Sequence, residues 1–208
     1  RTTSWQTIRK KERTSMENRK RPTSEQVREE LRRERYGAEF KKTLNRVFLV
    51  LLCVASVAVL TAMLWLPVLQ LSGTSMEPTL EPGEIVAAVK NAKLEPGDLV
   101  AFYYNNKILV KRVIATAGDY VNFDSDGTVY VNNEIIYEPY LSEKSLGQLD
   151  IKLPYQVPDG KYFVMGDHRA TSLDSRSTSI GCIDEEYVIG KIVFKIWPLS
   201  DFGLIDSY

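Results

Sequence analysis

One histidine and two cysteines in 208 residues remove whole classes of chemistry at the outset. Any Ser/His/Asp triad would have to use His168, and neither a second histidine nor a cysteine pair remains to build a zinc site. No metal and no cofactor is expected. Cys53 sits inside an apolar run and Cys182 far beyond it, so no intrachain disulfide is expected. Charge is also missing in one place: Val47 to Leu66 is twenty residues without Asp, Glu, Lys or Arg. As a helix that run is about 30 Å long, the hydrocarbon thickness of a bilayer. The uncharged text continues to Met76, but Pro67 and the polar Gln70, Ser72 and Gly73 end the expected helix near Leu66. A buried soluble helix fits this length and purity poorly, and a cleaved leader would be shorter and nearer the start. The run reads as a transmembrane helix.

The net charge of zero, 27 basic against 27 acidic residues, conceals a division. Residues 1–46 carry 15 basic and 7 acidic side chains, net +8, and the other 162 residues carry 12 and 20, net −8. Lys41, Lys42 and Arg46 crowd the near side of the apolar run, and no Lys or Arg follows it until Lys90. Basic flanks stay in the cytoplasm, so the N-terminus is expected inside and the C-terminal part outside. Residues 1–22 are polar, basic and without hydrophobic period, which predicts disorder. Met16 is the first methionine, and the residues before it are assigned no function. Thr23 with Gln26 three residues on forms a capping-box pattern, after which Val27, Leu31, Ala38 and Phe40 recur at roughly helical spacing. A basic helix lying against anionic lipid, a solvated helix and a partner-binding arm all fit this segment.

Beyond the span, short runs rich in Val, Ile, Tyr and Phe alternate with turn signals, at 83–90, 98–104, 107–117, 119–123, 128–132, 162–166 and 187–197. Asn105-Asn106, Asp126-Gly127 and Asn132-Asn133 stand where tight hairpins need positive φ. A looser stretch at 138–160 holds Pro139, Pro154 and Pro158. The expected fold is mainly β: an antiparallel coiled-sheet, barrel-like domain on one N-terminal transmembrane helix. The divisions are a basic cytoplasmic arm (1–46), the helix (47–66) and an extracytoplasmic β-rich domain (67–208).

Three segments carry candidate chemistry. The first is Ser72-Gly73-Thr74-Ser75-Met76-Glu77-Pro78, just beyond the span. Small residues leave the Ser75 backbone open to a substrate, and Pro78 keeps Glu77 extended. Taken alone it is a serine-rich turn, and Glu77 stands where a nucleophile elbow needs glycine. The second is Lys111 in ILVKRVI (108–114), where strand alternation puts Lys111 on a face with Leu109 and Val113, and Arg112 with Val110 and Ile114. One of the two charges is expected to face apolar surroundings. Arginine keeps its proton, whereas a desolvated lysine can approach neutrality, so only Lys111 can serve as a base; an edge-strand lysine is the ordinary alternative. The third is Gly166 to Arg176, GDHRATSLDSR, which by itself is a turn with surface charges.

In this order, SGTSMEPTL beyond an anchor, PGDLV at 96–100, VKRVIATAGD at 110–119 and GDHRATSLDSR resemble the motif set of the bacterial type I signal peptidases, over about residues 47–198. The resemblance implies a membrane-bound serine endopeptidase with a Ser/Lys dyad. It would remove signal peptides from secretory precursors and prefer small side chains at the first and third positions before the cut. It implies Ser75 as nucleophile and Lys111 as base. It further implies backbone from Ser72 through Gly73 to Met76 for the oxyanion, Ser172 hydrogen-bonded to the lysine, and Asp174 with Arg176 as an ion pair. Partners implied are precursor proteins and membrane lipid, with no nucleic acid and no metal. Gly73 stands where some members carry a hydroxyl, and His168 where the loop often has asparagine. The short connection from Gly118 to Gly166 implies that the large inserted second domain of some relatives is absent. His168 is read as loop structure. Two other readings are a relative dedicated to one substrate class such as pilins, and an inactive membrane-anchored binding protein. Nine residues from Pro67 to Ser75 reach at most about 30 Å, so the serine is tethered near the outer membrane surface.

Overall fold

The computed structural model describes residues 23–206 and Tyr208, so the disorder expected for residues 1–22 lies outside the described residues. Two units are distinguished, with the division between Ala58 and Val59. A helix, α1 (Ser24–Trp65), makes up most of the first and crosses into the second. Its start carries half of the expected capping box, with the Thr23 N–H donating to Gln26 Oε1 at 3.0 Å. It stops at Trp65, just before Pro67, whose ring and missing N–H cannot continue the hydrogen-bond ladder. Helix runs unbroken through the basic segment and the apolar run, which had been expected as separate elements. Within it Glu39–Thr61, of mean hydropathy 2.2, is long and apolar enough to cross a bilayer.

Beyond the end of α1 the second unit is mainly antiparallel β, as expected from its β-branched and aromatic runs. The strands are β1 (Val68–Gln70), β2 (Ile85–Val89), β3 (Leu99–Tyr104), β4 (Lys107–Ala115), β5 (Tyr120–Phe123) and β6 (Val129–Val131). They continue with β7 (Glu134–Ile135), β8 (Tyr155–Gln156), β9 (Lys161–Met165), β10 (Ile183–Asp184), β11 (Val188–Trp197) and β12 (Gly203–Leu204). The large sheet has the order β1-β2-β11-β3-β4-β9-β10 with β12 added to β11, and the small sheet the order β7-β6-β5-β8. Neither closes on itself, which corrects the barrel-like expectation to two open sheets: the edge strands β1 and β10 have only three and two residues and do not pair with each other.

Pairing within the large sheet is irregular in places. Register shifts fall between Val188 and Gly190, Ile192 and Phe194, and Lys195 and Trp197 of β11, and between Val113 and Ala115 of β4. Gly190 sits at one such shift, where a Cβ would lie 2.5 Å from the Val89 carbonyl oxygen, so only glycine admits that approach. The Asn105-Asn106 and Asn132-Asn133 turns have positive φ at both residues, as their hairpins require.

β4 is the strand that matters most for the site, because apolar clusters cover both of its faces. Val110 packs with Met76, Leu80, Val86, Leu99 and Ile192, while Val113 joins Val100, Phe102, Val164 and Ile183. A third cluster, around Ile114, Phe163 and Met165, reaches Val121 and Val129 of the small sheet. Side chains on β4 from Val110 to Ala115 are therefore all buried, the two charged ones included.

Candidate active site

Lys111 lies opposite Val100 on β3, in the interior of the large sheet, and keeps only 3% of its surface exposed. Burial pushes its ammonium down from 10.5 to about 8; Arg176 pushes the same way, and the Asp174 and Asp167 carboxylates oppose. Its Nζ donates to Ser172 Oγ at 2.9 Å, the contact that the resemblance implied. Arg112 is buried too, at 0% exposure, so both of the pair face the interior where one was expected to. The bulge that β4 shares with β9 and the apolar cover on both faces leave neither side to solvent.

The Gly166–Arg176 loop follows β9 directly. Read from sequence as a turn with surface charges, it is instead among the most deeply buried parts of the chain, with Asp167, Arg169, Ser172, Asp174, Ser175 and Arg176 each at most 3% exposed. Buried charge is tolerated only when paired and fully hydrogen-bonded, and here it is. Asp167 takes Arg112 in a two-point contact, Nε to Oδ1 at 2.9 Å and Nη2 to Oδ2 at 2.6 Å. Thr79 adds a hydroxyl to the same carboxylate. Arg112 reaches the Gly97 carbonyl at 2.7 Å and lies 3.8 Å from the Tyr140 ring centre. Arg169 pairs with Glu138.

Asp174 meets Arg176 through Nε at 2.8 Å and Nη2 at 2.9 Å and accepts the Gly166 N–H at 3.0 Å. Burial opposes ionisation of Asp174, but the guanidinium and the Gly166 N–H outweigh it and hold the carboxyl below its ordinary 3.8. Among the described residues no buried side-chain nitrogen or oxygen is left unsatisfied. Sequence reasoning missed the Thr79, Glu138 and Tyr140 contacts; the one signal for them was an adjacent Lys-Arg pair inside an apolar strand.

Ser75 is half-buried in a turn that begins at Thr74, where the Glu77 N–H donates to the Thr74 carbonyl at 3.2 Å. Ser72 and Gly73 are exposed, and Met76 is buried in the core beneath Ser75. The loop grips this turn, since the His168 N–H donates to the Ser75 carbonyl at 3.1 Å. Gly166 brings the pieces together. A Cβ there would lie 2.2 Å from Ser172 Oγ and 2.5 Å from the Ser75 carbonyl oxygen, so glycine lets the Ser75 turn and the lysine's partner share one space. Lys111 Nζ bonds Ser172 Oγ, and no hydrogen bond joins it to the Ser75 hydroxyl. No acceptor among the described residues takes the Ser75 or Met76 N–H. Beside the turn a cleft of about 300 Å³ is lined by Leu69, Leu71, Gly73, Ser75, Met76 and Val110. No group of three or more metal-ligating residues occurs among the described residues.

The chain is 41% identical to signal peptidase IB of Staphylococcus aureus over 152 residues, which is 64% of this chain and 78% of that protein. It is 37% identical to signal peptidase I of Bacillus licheniformis over 170 residues, 76% of this chain and 90% of that protein. A solved signal peptidase I from Enterococcus faecalis is 29% identical and superimposes with a TM-score of 0.40, covering 48% of this chain and 97% of its own. Residues 42–197 match the family described as signal peptidase, peptidase S26, and with three quarters of its length in that match the chain belongs to this family of serine endopeptidases.

Proposed function

We propose that Ser75 attacks the scissile carbonyl of a secretory precursor and that neutral Lys111 takes its proton. The carrying observation is a buried lysine, lowered to about 8, bonded to the loop that grips the Ser75 turn. At pH 7 a base of that strength is neutral in about one molecule in ten, against fewer than one in a thousand for an unperturbed lysine. The Ser75 alkoxide adds to the carbonyl, and the Ser75 and Met76 N–H groups receive the oxyanion. Lys111 then returns the proton to the leaving amine. Water activated by the same lysine releases the acyl-enzyme. Signal-peptide removal at the membrane is the activity of the family, and the cleft of about 300 Å³ beside Ser75 suits small side chains before the cut. Incubation of the detergent-solubilised protein with a secretory precursor, with the cut site read by mass spectrometry, tests this; an uncut precursor refutes it.

The pH dependence separates lysine from histidine as base. The active form of Lys111 is the deprotonated one, so the rate climbs about tenfold per pH unit well below 8 and flattens above it. His168→Asn cannot titrate and leaves that limb in place. A folded but inactive His168→Asn protein transfers the role to histidine.

The same reading places residues 1–46 in the cytoplasm, 47–66 across the membrane and 67–208 outside. Lys41, Lys42 and Arg46 on one flank support that orientation. Exposed Val68, Trp197, Leu199, Phe202 and Leu204 at the β1 end of the large sheet suit contact with membrane lipid. Protease added to right-side-out vesicles digests the C-terminal domain and spares the segment before Val47. Protection of the C-terminal domain reverses the orientation.

A further inference from the structure

The single histidine stands between two groups that flank Ser75. Its Nδ1 lies 3.3 Å from the Thr74 carbonyl oxygen and 3.9 Å from Glu77 Oε2, while its own N–H bonds the Ser75 carbonyl. The loop thus holds the peptide planes on both sides of the serine. In a trans peptide the C=O and N–H point in opposite directions. Holding the Thr74 oxygen toward the loop therefore turns the Ser75 N–H away from it, and holding the Ser75 oxygen does the same for the Met76 N–H. These are the two N–H groups that no acceptor in the described residues takes up. The turn bond from Glu77 sets the Thr74 plane in part, and His168 Nδ1 is the second group within hydrogen-bond reach of that oxygen.

We propose that His168 is a positioning residue, whose ring N–H at Nδ1 fixes the Thr74 carbonyl and thereby aims the Ser75 N–H at the developing oxyanion. The proposal rests on the reading of Ser75 as nucleophile. Nδ1 must carry the proton, since the other neutral tautomer would set one lone pair against another. Glu77 favours that arrangement. Both side chains of this pair are more than one-third exposed, so its share is small.

Atom positions supply the test. Imidazole Nδ1 and the amide nitrogen of asparagine are each one bond from Cγ, whereas the amide nitrogen of glutamine is one bond further out. His168→Asn keeps a donor where it is needed; His168→Gln and His168→Ala do not. On a secretory precursor, the alanine and glutamine variants lower single-turnover acylation and kcat about three- to tenfold, the worth of one hydrogen bond to the turn. KM changes less than about twofold, because the oxyanion forms after binding. His168→Asn stays within about twofold of wild type, and Glu77→Gln loses about twofold. Full acylation rate in His168→Ala, or an asparagine variant as slow as the alanine one, overturns the proposal. If the alanine variant does not fold, the asparagine-glutamine contrast decides by itself. Ser75→Ala run alongside keeps the two readings apart: its inactivity with an unimpaired His168→Ala refutes the positioning role alone, and turnover by Ser75→Ala refutes both.

Discussion

Ser75→Ala and Lys111→Met are each expected to lower turnover of a secretory precursor by about a thousandfold or more, and the double variant to be no slower than either single one. The reason is that, in the proposed mechanism, the two side chains make one nucleophile between them. A serine without a base is a neutral alcohol, a base without the serine has nothing to activate, and losses within such a unit do not add. Steady-state rates on the four proteins check this, and a large fraction of wild-type rate in either single variant refutes the assignment.

Lys111→Met carries a second expectation, opposite in sign, in stability. A fall from 10.5 to about 8 on folding corresponds to about 3 kcal/mol of destabilisation by the buried ammonium. The native state sheds this proton more easily than the unfolded chain. Below pH 8 both states are protonated and the cost is fully present; it is relieved as pH rises from 8 to 10.5. Methionine removes the charge but also takes one hydrogen bond from the buried Ser172 hydroxyl, which keeps its contact with Asp174, and that loss costs about 1 kcal/mol. Urea unfolding at pH 7 should therefore show Lys111→Met about 2 kcal/mol more stable than wild type, with the advantage shrinking above pH 8. A catalytic lysine that stabilises the fold at neutral pH contradicts the reading.

Local pattern made part of this legible and long-range pairing hid the rest. The apolar run, the strand runs and the Asn-Asn turns each depend on residues within a few positions, and each appears in the structure close to where its pattern lies. Lys111 was recognisable because a lysine flanked by Leu109, Val110, Val113 and Ile114 has little water to turn to. Neither Arg112 nor the 166–176 loop could be placed by the same reasoning. Their burial depends on partners 55 residues apart for Arg112 and Asp167, and 31 for Glu138 and Arg169, separations at which no periodicity operates. A polar, charged loop after a strand looks solvated until its counter-charges are known. Closure of the sheet was equally out of reach, since it depends on two edge strands of three and two residues that lie at opposite ends of the strand order.

The buried pair of Arg112 and Asp167 yields the largest expected loss of stability. Both side chains are fully buried, and the carboxylate is the counter-charge to a guanidinium that cannot lose its proton. Asp167→Ala leaves that guanidinium with a backbone carbonyl and the face of Tyr140 but no anion, and breaking such a pair costs about 3–5 kcal/mol. Arg112→Met leaves the Asp167 carboxylate with the Thr79 hydroxyl, so the milder of the two single losses is expected there. Combining Arg112→Met with Asp167→Leu removes both charges and fills the space with carbon. Its loss is expected to be well below the sum of the single ones, because neither partner is then left charged and alone.

Activity follows the same pair. Arg112 is the neighbour of Lys111 on β4, and Asp167 stands next to His168, whose N–H holds the Ser75 carbonyl. Their contact ties the strand that carries Lys111 to the loop that grips the Ser75 turn. In Asp167→Ala, kcat should fall further than the unfolded fraction accounts for, when assayed at a temperature where the protein remains folded. Urea unfolding of the three variants and kcat of the folded proteins are the measurements. An Asp167→Ala protein with wild-type stability would show that Arg112 finds another anion, and one with wild-type kcat would show that the loop keeps its place without it.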